Sequence, residues 1–358
     1  MPDGGPLTGP LLVVGAGLLG TSIGLAATRG GIEVWLADTS RKHVRTATGL
    51  GAGAALPEGG VPQLVVVAVP PDHIPDAVVE ALASGAVVTD VGSIKLPPLE
   101  AVASRVDAAA VTRYVGSHPM AGSERSGPLA ASASLFDGRP WAVTPHATAA
   151  PAAVQLVEEL VALCRAQVVR LSPAEHDRAV ARTSHVPHLL AVLAAGRLAA
   201  APPEHVALSG QGVRDVTRIA AGDPELYGQI VRANREAVGE LLVEVRGDLD
   251  RVIAALASED AGDLGEVLTR GVAGTRAIPG KHGGPPLVTA PVYIVVPDHP
   301  GELARLFADV GEIGVNIEDV RIDHDPGRPV GLVELQVAAR SAASLEAALE
   351  ERGWTAHR

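Results

Sequence analysis

The feature that most restricts the fold is an apolar run, Leu11-Leu12-Val13-Val14, which leads straight into Gly15-Ala16-Gly17-Leu18-Leu19-Gly20 and then a helix-forming stretch. Strand, glycine turn and helix in that order make the first half of a βαβ unit. The glycines divide the work. Gly15 permits the tight turn, Gly17 lets backbone approach a pyrophosphate, and Gly20 lets the helix pack on the strand. The helix N-terminus then offers free N–H groups and partial positive charge to phosphates. Asp38 closes the next apolar run, 18 residues after Gly20, where an acid binds ribose hydroxyls. It would repel a 2′-phosphate, which favours NAD over NADP, although Arg41 and Lys42 nearby temper that preference. A glycine-rich structural turn is the competing reading, but strand, glycines, helix and acid agree on a dinucleotide. The expected cofactor residues are Gly15, Gly17, Leu18, Leu19, Gly20 and Asp38, with Val69 and Ser93 at the ends of later apolar runs.

The same alternation continues to about residue 171. Short β-rich runs at 33–37, 64–69, 86–91, 114–117 and 141–144 are separated in several places by Ala-rich helical segments. Such spacing predicts a mostly parallel sheet covered by helices on both faces. Ser172-Pro173-Ala174-Glu175 then reads as a capping box with proline at the first helical position, the cap contributing about 1 kcal/mol. From 172 to 281 apolar residues recur at three and four, as in Val238, Leu241, Leu242, Val245, Leu249 and Val252, so this block is expected to be all-helical. Residues 282–289 are the expected linker, within a Gly- and Pro-dense stretch beginning at Pro279. The last block, 290–358, reads strand, helix, strand, strand, helix, with a turn at Asp325-Pro326-Gly327: a small α+β module.

Composition removes several function classes. Aromatic residues make up only 2%, so the cores must be built from Ala, Val, Leu and Ile. Cys164 is the single cysteine; it excludes an intrachain disulfide and sits in an apolar helical run, as a small buried hydrophobe would. A net charge of -12 argues against a nucleic-acid partner and means that an anionic substrate needs a basic pocket inside an acidic protein. No run approaches a membrane span, and the first ten residues lack the charged and apolar regions of a signal peptide. A cytoplasmic protein is expected.

Candidate chemistry lies where strands end, because the carboxyl edge of a doubly wound sheet is its ligand crevice. Asp90-Val91-Gly92-Ser93-Ile94-Lys95 follows one buried run; Ser93 reads either as a helix cap or as a substrate-facing hydroxyl. His118 ends the next run and precedes a loop of small residues. A lone histidine is usually structural, but on the cofactor edge a neutral imidazole is the natural acceptor of a hydroxyl proton near pH 7. The helical block adds Glu175-His176-Asp177 in its first helix and Ser184-His185-Val186-Pro187-His188, where Pro187 should kink the helix. His185 and His188 share metal-ligand spacing, yet no third ligand is apparent and no metal is expected. Farther on, Arg218, with Asp215 one turn earlier, reads either as an ordinary surface ion pair or as a bidentate carboxylate anchor.

Taken together, GAGLLGTSIG (15–24), DVGSIK (90–95), GSHPMAGSERSG (116–127), SHVPH (184–188) and RDVTRIAAGDP (214–224) resemble the prephenate dehydrogenase family. The last block resembles an ACT module through Asp298-His299-Pro300-Gly301-Glu302-Leu303 and Gly314-Val315-Asn316-Ile317. The resemblance implies a Rossmann-type α/β domain, an all-α dimerisation domain and a ferredoxin-like α+β regulatory domain. It implies NAD-dependent oxidative decarboxylation of prephenate, a homodimer, and an aromatic amino-acid effector such as tyrosine bound near Asp298, Gly301, Asn316 and Ile317. By the same resemblance, His118 would take the hydrogen bond from the ring hydroxyl and Ser93 would orient it; Ser184, His185 and His188 would line the pocket, Arg218 would hold a carboxylate and Asp215 would gate it. Gln211 and Tyr227 stand where many members have Gly and Trp, which leaves arogenate open as the substrate. A non-catalytic NAD and amino-acid sensor is the reading from another class. A β-hydroxyacid dehydrogenase is disfavoured, because such enzymes use a lysine base in the helical block and none occurs between Lys95 and Lys281.

Overall fold

The computed structural model describes residues 6–121, 126–257, 262–278, 288–324 and 330–358. The opening strands are β1 (Leu11–Val14), β2 (Val34–Ala37), β3 (Ala54–Ala55), β4 (Leu64–Val67) and β5 (Val87–Asp90), with helices α1 (Leu18–Arg29), α2 (Arg41–Gly49) and α3 (Ile74–Leu82) between them. They form a parallel sheet in the order β3-β2-β1-β4-β5, the doubly wound arrangement with its switch point beside β1. β4 is buried along its whole length, as an apolar strand covered on both faces must be.

After α4 (Leu96–Ala103) and α5 (Ala108–Val111), a second sheet follows from β6 (Gly116–Pro119), β7 (Pro140–Thr144) and, beyond α6 (Pro151–Leu163), β8 (Gln167–Arg170). β6 and β7 are antiparallel while β7 and β8 are parallel, so the expected parallel pattern breaks at one pair. The described residues of the connection between them hold no α-helix, the usual crossover of a parallel pair. A parallel bridge between Val88 and Tyr114 ties this sheet to the first. The core is built from Ala, Val, Leu and Ile, with Phe136 and Trp141 in contact at a ring separation of 4.8 Å. Cys164 is buried there, and burial pushes its thiol up to about 12.

The helical block runs α7 (Pro173–Val180), a π-turn (Ala181–His185), α8 (Val186–Leu198), α9 (Pro203–Val206), α10 (Gln211–Thr217), a 3-10 turn (Arg218–Ala221), α11 (Pro224–Ala233) and α12 (Arg235–Ala257). The capping box at α7 forms in both directions, between Ser172 and Glu175. The distortion expected at Pro187 lies just before it: Val186 N–H bonds to the Ala181 carbonyl, five residues back. A proline nitrogen cannot donate to the carbonyl one turn earlier, and the chain absorbs that loss as a wide turn.

The chain divides into two units, 1–259 and 260–358. α13 (Gly262–Arg276) groups with the second unit. That unit continues with β9 (Thr289–Pro297), α14 (Glu302–Ile313), β10 (Ile317–His324), β11 (Val330–Ala338), α15 (Ala339–Glu351) and β12 (Thr355–His357). Its sheet is antiparallel in the order β10-β11-β9-β12; the short final strand was not anticipated. Most of the expected linker, the turn at 325–327 and residues 122–125 of the small-residue loop lie outside the described residues. Among the described residues no helix is long and apolar enough to cross a membrane.

Candidate active site

The glycine turn shows which positions are fixed by the protein and which face something else. Gly15 has φ +102°, and a Cβ there would lie 2.3 Å from the Ala68 carbonyl oxygen. A Cβ on Gly20 would lie 1.9 Å from the Gly15 carbonyl oxygen. On Gly17 it would meet nothing within 4 Å. Close packing thus dictates the outer two glycines, and the middle one borders the open side where a phosphate would approach. Asp38 is held by two backbone donors, Ala16 N–H and Ser40 N–H, each at 2.7 Å. Leu18 and Leu19 form the first turn of α1, and Val69 lies just beyond β4; all three are partly buried. These residues fit a dinucleotide.

At the ends of β5 and β6 the interior turns polar. Lys95 is buried and pairs with Asp90 Oδ1, while its ammonium also donates to the Ser117 carbonyl at 2.7 Å. Tyr114 donates its hydroxyl to Asp90 Oδ2 at 2.7 Å. Burial pulls the Lys95 ammonium down and Asp90 opposes it; burial, with Asp90 beside it, raises the Tyr114 phenol well above its usual range. Every charged atom here has a partner, the condition under which a buried ion pair is tolerated.

A second chain of contacts crosses from the sheet to the helical block. His118 Nδ1 lies 3.0 Å from His176 Nε2, and His176 Nδ1 lies 2.8 Å from Asp177 Oδ1. Asp177 accepts from the backbone N–H groups of Lys95 at 2.8 Å and Leu96 at 2.9 Å, at the start of α4. Asn234 donates to the Asp177 carbonyl at 2.7 Å and contacts His185 Nδ1 at 3.1 Å. Burial holds His118 well below the ordinary histidine range, and nearby His176, Lys95 and His185 push the same way. His185 is lowered by burial to about 4, and His176 is lowered by burial against the pull of Asp177. All three imidazoles are therefore neutral near pH 7, with the capacity to accept a proton's hydrogen bond.

A cavity of about 560 Å³ opens beside His118, with Ser93, Arg139, Ser184, His185 and Tyr227 on its walls. That volume suits a small carboxylic acid with part of a cofactor. His188 stands behind Tyr227, the two rings stacked at 3.4 Å and 4°. Gly222 makes room for this stack, since a Cβ there would meet the Tyr227 ring at 2.9 Å. Gln211 and Asp215 are hydrogen-bonded to each other on α10 at 2.9 Å, and Arg218 follows on the 3-10 turn that packs along α8. These three are exposed and lie outside the cavity walls. In the second unit, Asp298 and Gly301 sit between β9 and α14, Gly301 with φ +98°, and Asn316 and Ile317 open β10.

The cavity thus gathers Ser93, His118, Ser184, His185 and Tyr227 from the expected set. One expected contact is absent: among the described residues Ser93 makes no hydrogen bond to His118, and His176 occupies the Nδ1 position instead. The pair His176-Asp177 was visible in the sequence only as a polar start to a helix, and nothing in its spacing tied it to a histidine 58 residues earlier. Arg139 on the cavity wall was not anticipated.

Residues 23–170 match the family profile described as "Prephenate dehydrogenase, nucleotide-binding domain", and residues 172–270 match "Prephenate dehydrogenase, dimerization domain". A "Probable prephenate dehydrogenase NovF" of Streptomyces niveus is 36% identical over 97% of this chain and 99% of its own length. The prephenate dehydrogenase of Bacillus subtilis is 28% identical over 87% of each chain. Among solved structures, prephenate dehydrogenase from Aquifex aeolicus in complex with hydroxyphenyl propionate and NAD+ superposes with a TM-score of 0.67 at 25% identity, over 74% of this chain and 96% of that one. With its glycine turn, its neutral His118 and a matching relative along nearly its full length, this chain belongs to the prephenate dehydrogenase family.

Proposed function

We infer that the protein is an NAD-dependent dehydrogenase that converts prephenate to 4-hydroxyphenylpyruvate and carbon dioxide, a step toward tyrosine. The observation that carries this reading is His118: a part-buried, neutral imidazole on the cavity at the carboxyl edge of the dinucleotide sheet. Oxidising a ring alcohol requires an acceptor for the hydroxyl proton, and His118 supplies it. Gly15, Gly17, Gly20 and Asp38 would hold NAD, whose nicotinamide would supply the hydride acceptor. Ser93, Ser184 and His185 border the substrate, and Arg218 draws its side-chain carboxylate to the far end, with Asp215 as the gate. His188 supports Tyr227 as one wall. Loss of the ring carboxylate yields an aromatic ring, so the protein's main task is to position and polarise.

Two finer assignments go with this reading. The second unit has the βαββαβ order and the β10-β11-β9-β12 sheet of a ferredoxin-like ACT module, which supports an amino-acid effector, tyrosine, bound near Asp298, Gly301, Asn316 and Ile317. In α12, Val243, Leu249, Ile253 and Leu256 are exposed, as are Leu190 and Leu193 of α8, which suits a homodimer through the helical block. A cytoplasmic location suits an enzyme that draws on NAD and a biosynthetic intermediate.

Purified protein mixed with NAD and prephenate should form NADH quickly, with arogenate and NADP in parallel. Turnover of arogenate alone would keep the chemistry and change the substrate. NAD binding without turnover of either would leave a sensor.

A further inference from the structure

The contacts from α7 determine which nitrogen of His118 faces the cavity. Asp177 is acceptor-only as a carboxylate, and its two oxygens already take N–H bonds from Lys95 and Leu96. The contact of 2.8 Å from His176 Nδ1 to Asp177 Oδ1 therefore requires a proton on that nitrogen. A neutral imidazole has one N–H, so His176 Nε2 is left as an acceptor. Its neighbour at 3.0 Å, His118 Nδ1, must then be the donor. The other tautomer would set two lone pairs against each other in a part-buried site. We propose that His176 and Asp177 form a relay that locks His118 in the Nδ1–H tautomer and so presents its bare Nε2 to the substrate hydroxyl. His176 is a positioning residue in this scheme; it touches neither substrate nor cofactor.

The relay rests on the reading of His118 as the proton acceptor. When the hydroxyl O–H bond breaks, the proton forms a bond to Nε2, and the Nδ1–H stays donated to His176. The imidazolium so produced faces the Asp177 carboxylate through one neutral ring, so its charge is stabilised without a proton leaving Nδ1. Asp177 is itself fixed by the first N–H groups of α4, and Asn234 holds its backbone carbonyl. The docking of the helical block against the sheet domain thereby sets the tautomer of the catalytic imidazole, and a free-standing sheet domain would lack that control.

The test uses the full chain with isotope-labelled histidine and long-range nitrogen–proton NMR, the His118 signals being assigned by their loss in His118→Asn. The wild-type spectrum should show a protonated Nδ1 and a bare Nε2. His176→Ala should give mixed tautomers, an about 10–100-fold lower kcat and a KM for prephenate within about threefold, the scale of losing an orienting partner. NADH binding should persist. In His176→Gln the amide oxygen can accept in place of Nε2, and most of the lost kcat should return. A wild-type spectrum with the proton on Nε2 would overturn the relay, whatever the fate of the variants. So would a single Nδ1–H tautomer with unchanged kcat in His176→Ala, or equal slowing in the Ala and Gln variants, which would mean simple filling of space. Failure of the wild type to oxidise prephenate would instead remove the proposed function, because the tautomer is read without turnover.

Discussion

The two units of the chain bury different things. In the first, Asp90, Lys95, His176, Asp177, His185, His188 and Asn234 are all buried. In the second, among the described residues, the interior is Val292, Ile294, Leu306, Val310, Leu335, Leu345 and others like them, with no charged or histidine side chain. Its polar contacts stay at the rim, where Trp354 donates to Asp309 at 2.7 Å and Arg305 covers the indole at 4.0 Å. Burying charge costs several kcal/mol per group unless each is paired, so a small module has good reason to keep an apolar core. The first unit bears that cost where the sheet's carboxyl edge meets the helices, which is where proton chemistry needs a low-dielectric environment. The difference teaches that buried polar groups in this chain are concentrated at one internal junction, while the described interior of the second unit is apolar.

The sharpest way to break this comparison is to remove the acceptor. His118→Asn should lower kcat by about 10²- to 10⁴-fold, the range for a positioned acid–base group, with the KM for prephenate little changed. Near-normal kcat would take the chemistry away from the buried junction. Next in size is Lys95→Met. It leaves Asp90 buried without its cation, and urea unfolding should report a loss of about 3–5 kcal/mol in the first unit. A loss under about 1 kcal/mol would mean that the Tyr114 hydroxyl and the Gly92 N–H satisfy Asp90 without the cation, and that the ion pair matters little to the fold. The counterpart in the second unit is Leu306→Ala, fully buried in the apolar core. It should cost about 2–5 kcal/mol there and leave turnover by the first unit intact. If turnover fell as well, the two units would be coupled in a way their separate interiors do not suggest.

Much of the fold was legible because it depends on local pattern. The glycine turn, the alternation to 171 and the capping box at Ser172 are each set by neighbours in sequence, and all were found. Short strands without periodic burial were not: β3 has two residues, and β8 is exposed along its length. The cavity walls were legible near strand ends, with Ser93 just past β5 and His118 in β6. The His118–His176–Asp177 chain was not, because it joins a strand end to a helix start 58 residues away and no spacing rule links them. Nor could the sequence distinguish Arg218 as anchor from Arg218 as surface charge, a question that a kinetic experiment addresses directly. Arg218→Gln should raise the KM for prephenate by about 10–100-fold, the equivalent of one lost charged hydrogen bond of roughly 1.5–3 kcal/mol, and spare the KM for NAD. Equal effects on both would assign the loss to folding.

The smallest expected effect, and the one that contrasts the units most directly, is on acid stability. His118, His176 and His185 are all held below the ordinary histidine value by burial, His185 at about 4. In the unfolded chain they titrate near 6.5, so below that pH the unfolded state binds protons that the native state refuses. Stability is therefore complete above about pH 6.5 and falls as the pH drops, for His185 until about pH 4. The second unit has no buried histidine among its described residues and should show no such term from histidine. Fluorinated tryptophan separates the two, since Trp35 and Trp141 report the first unit and Trp354 the second. Urea midpoints taken from pH 7 down to pH 5 should fall more steeply for Trp35 and Trp141, and His185→Asn should flatten that fall by up to one proton's worth. Parallel slopes for all three tryptophans would mean that the buried imidazoles are already protonated in the native state, and His118 could then no longer serve as a neutral acceptor.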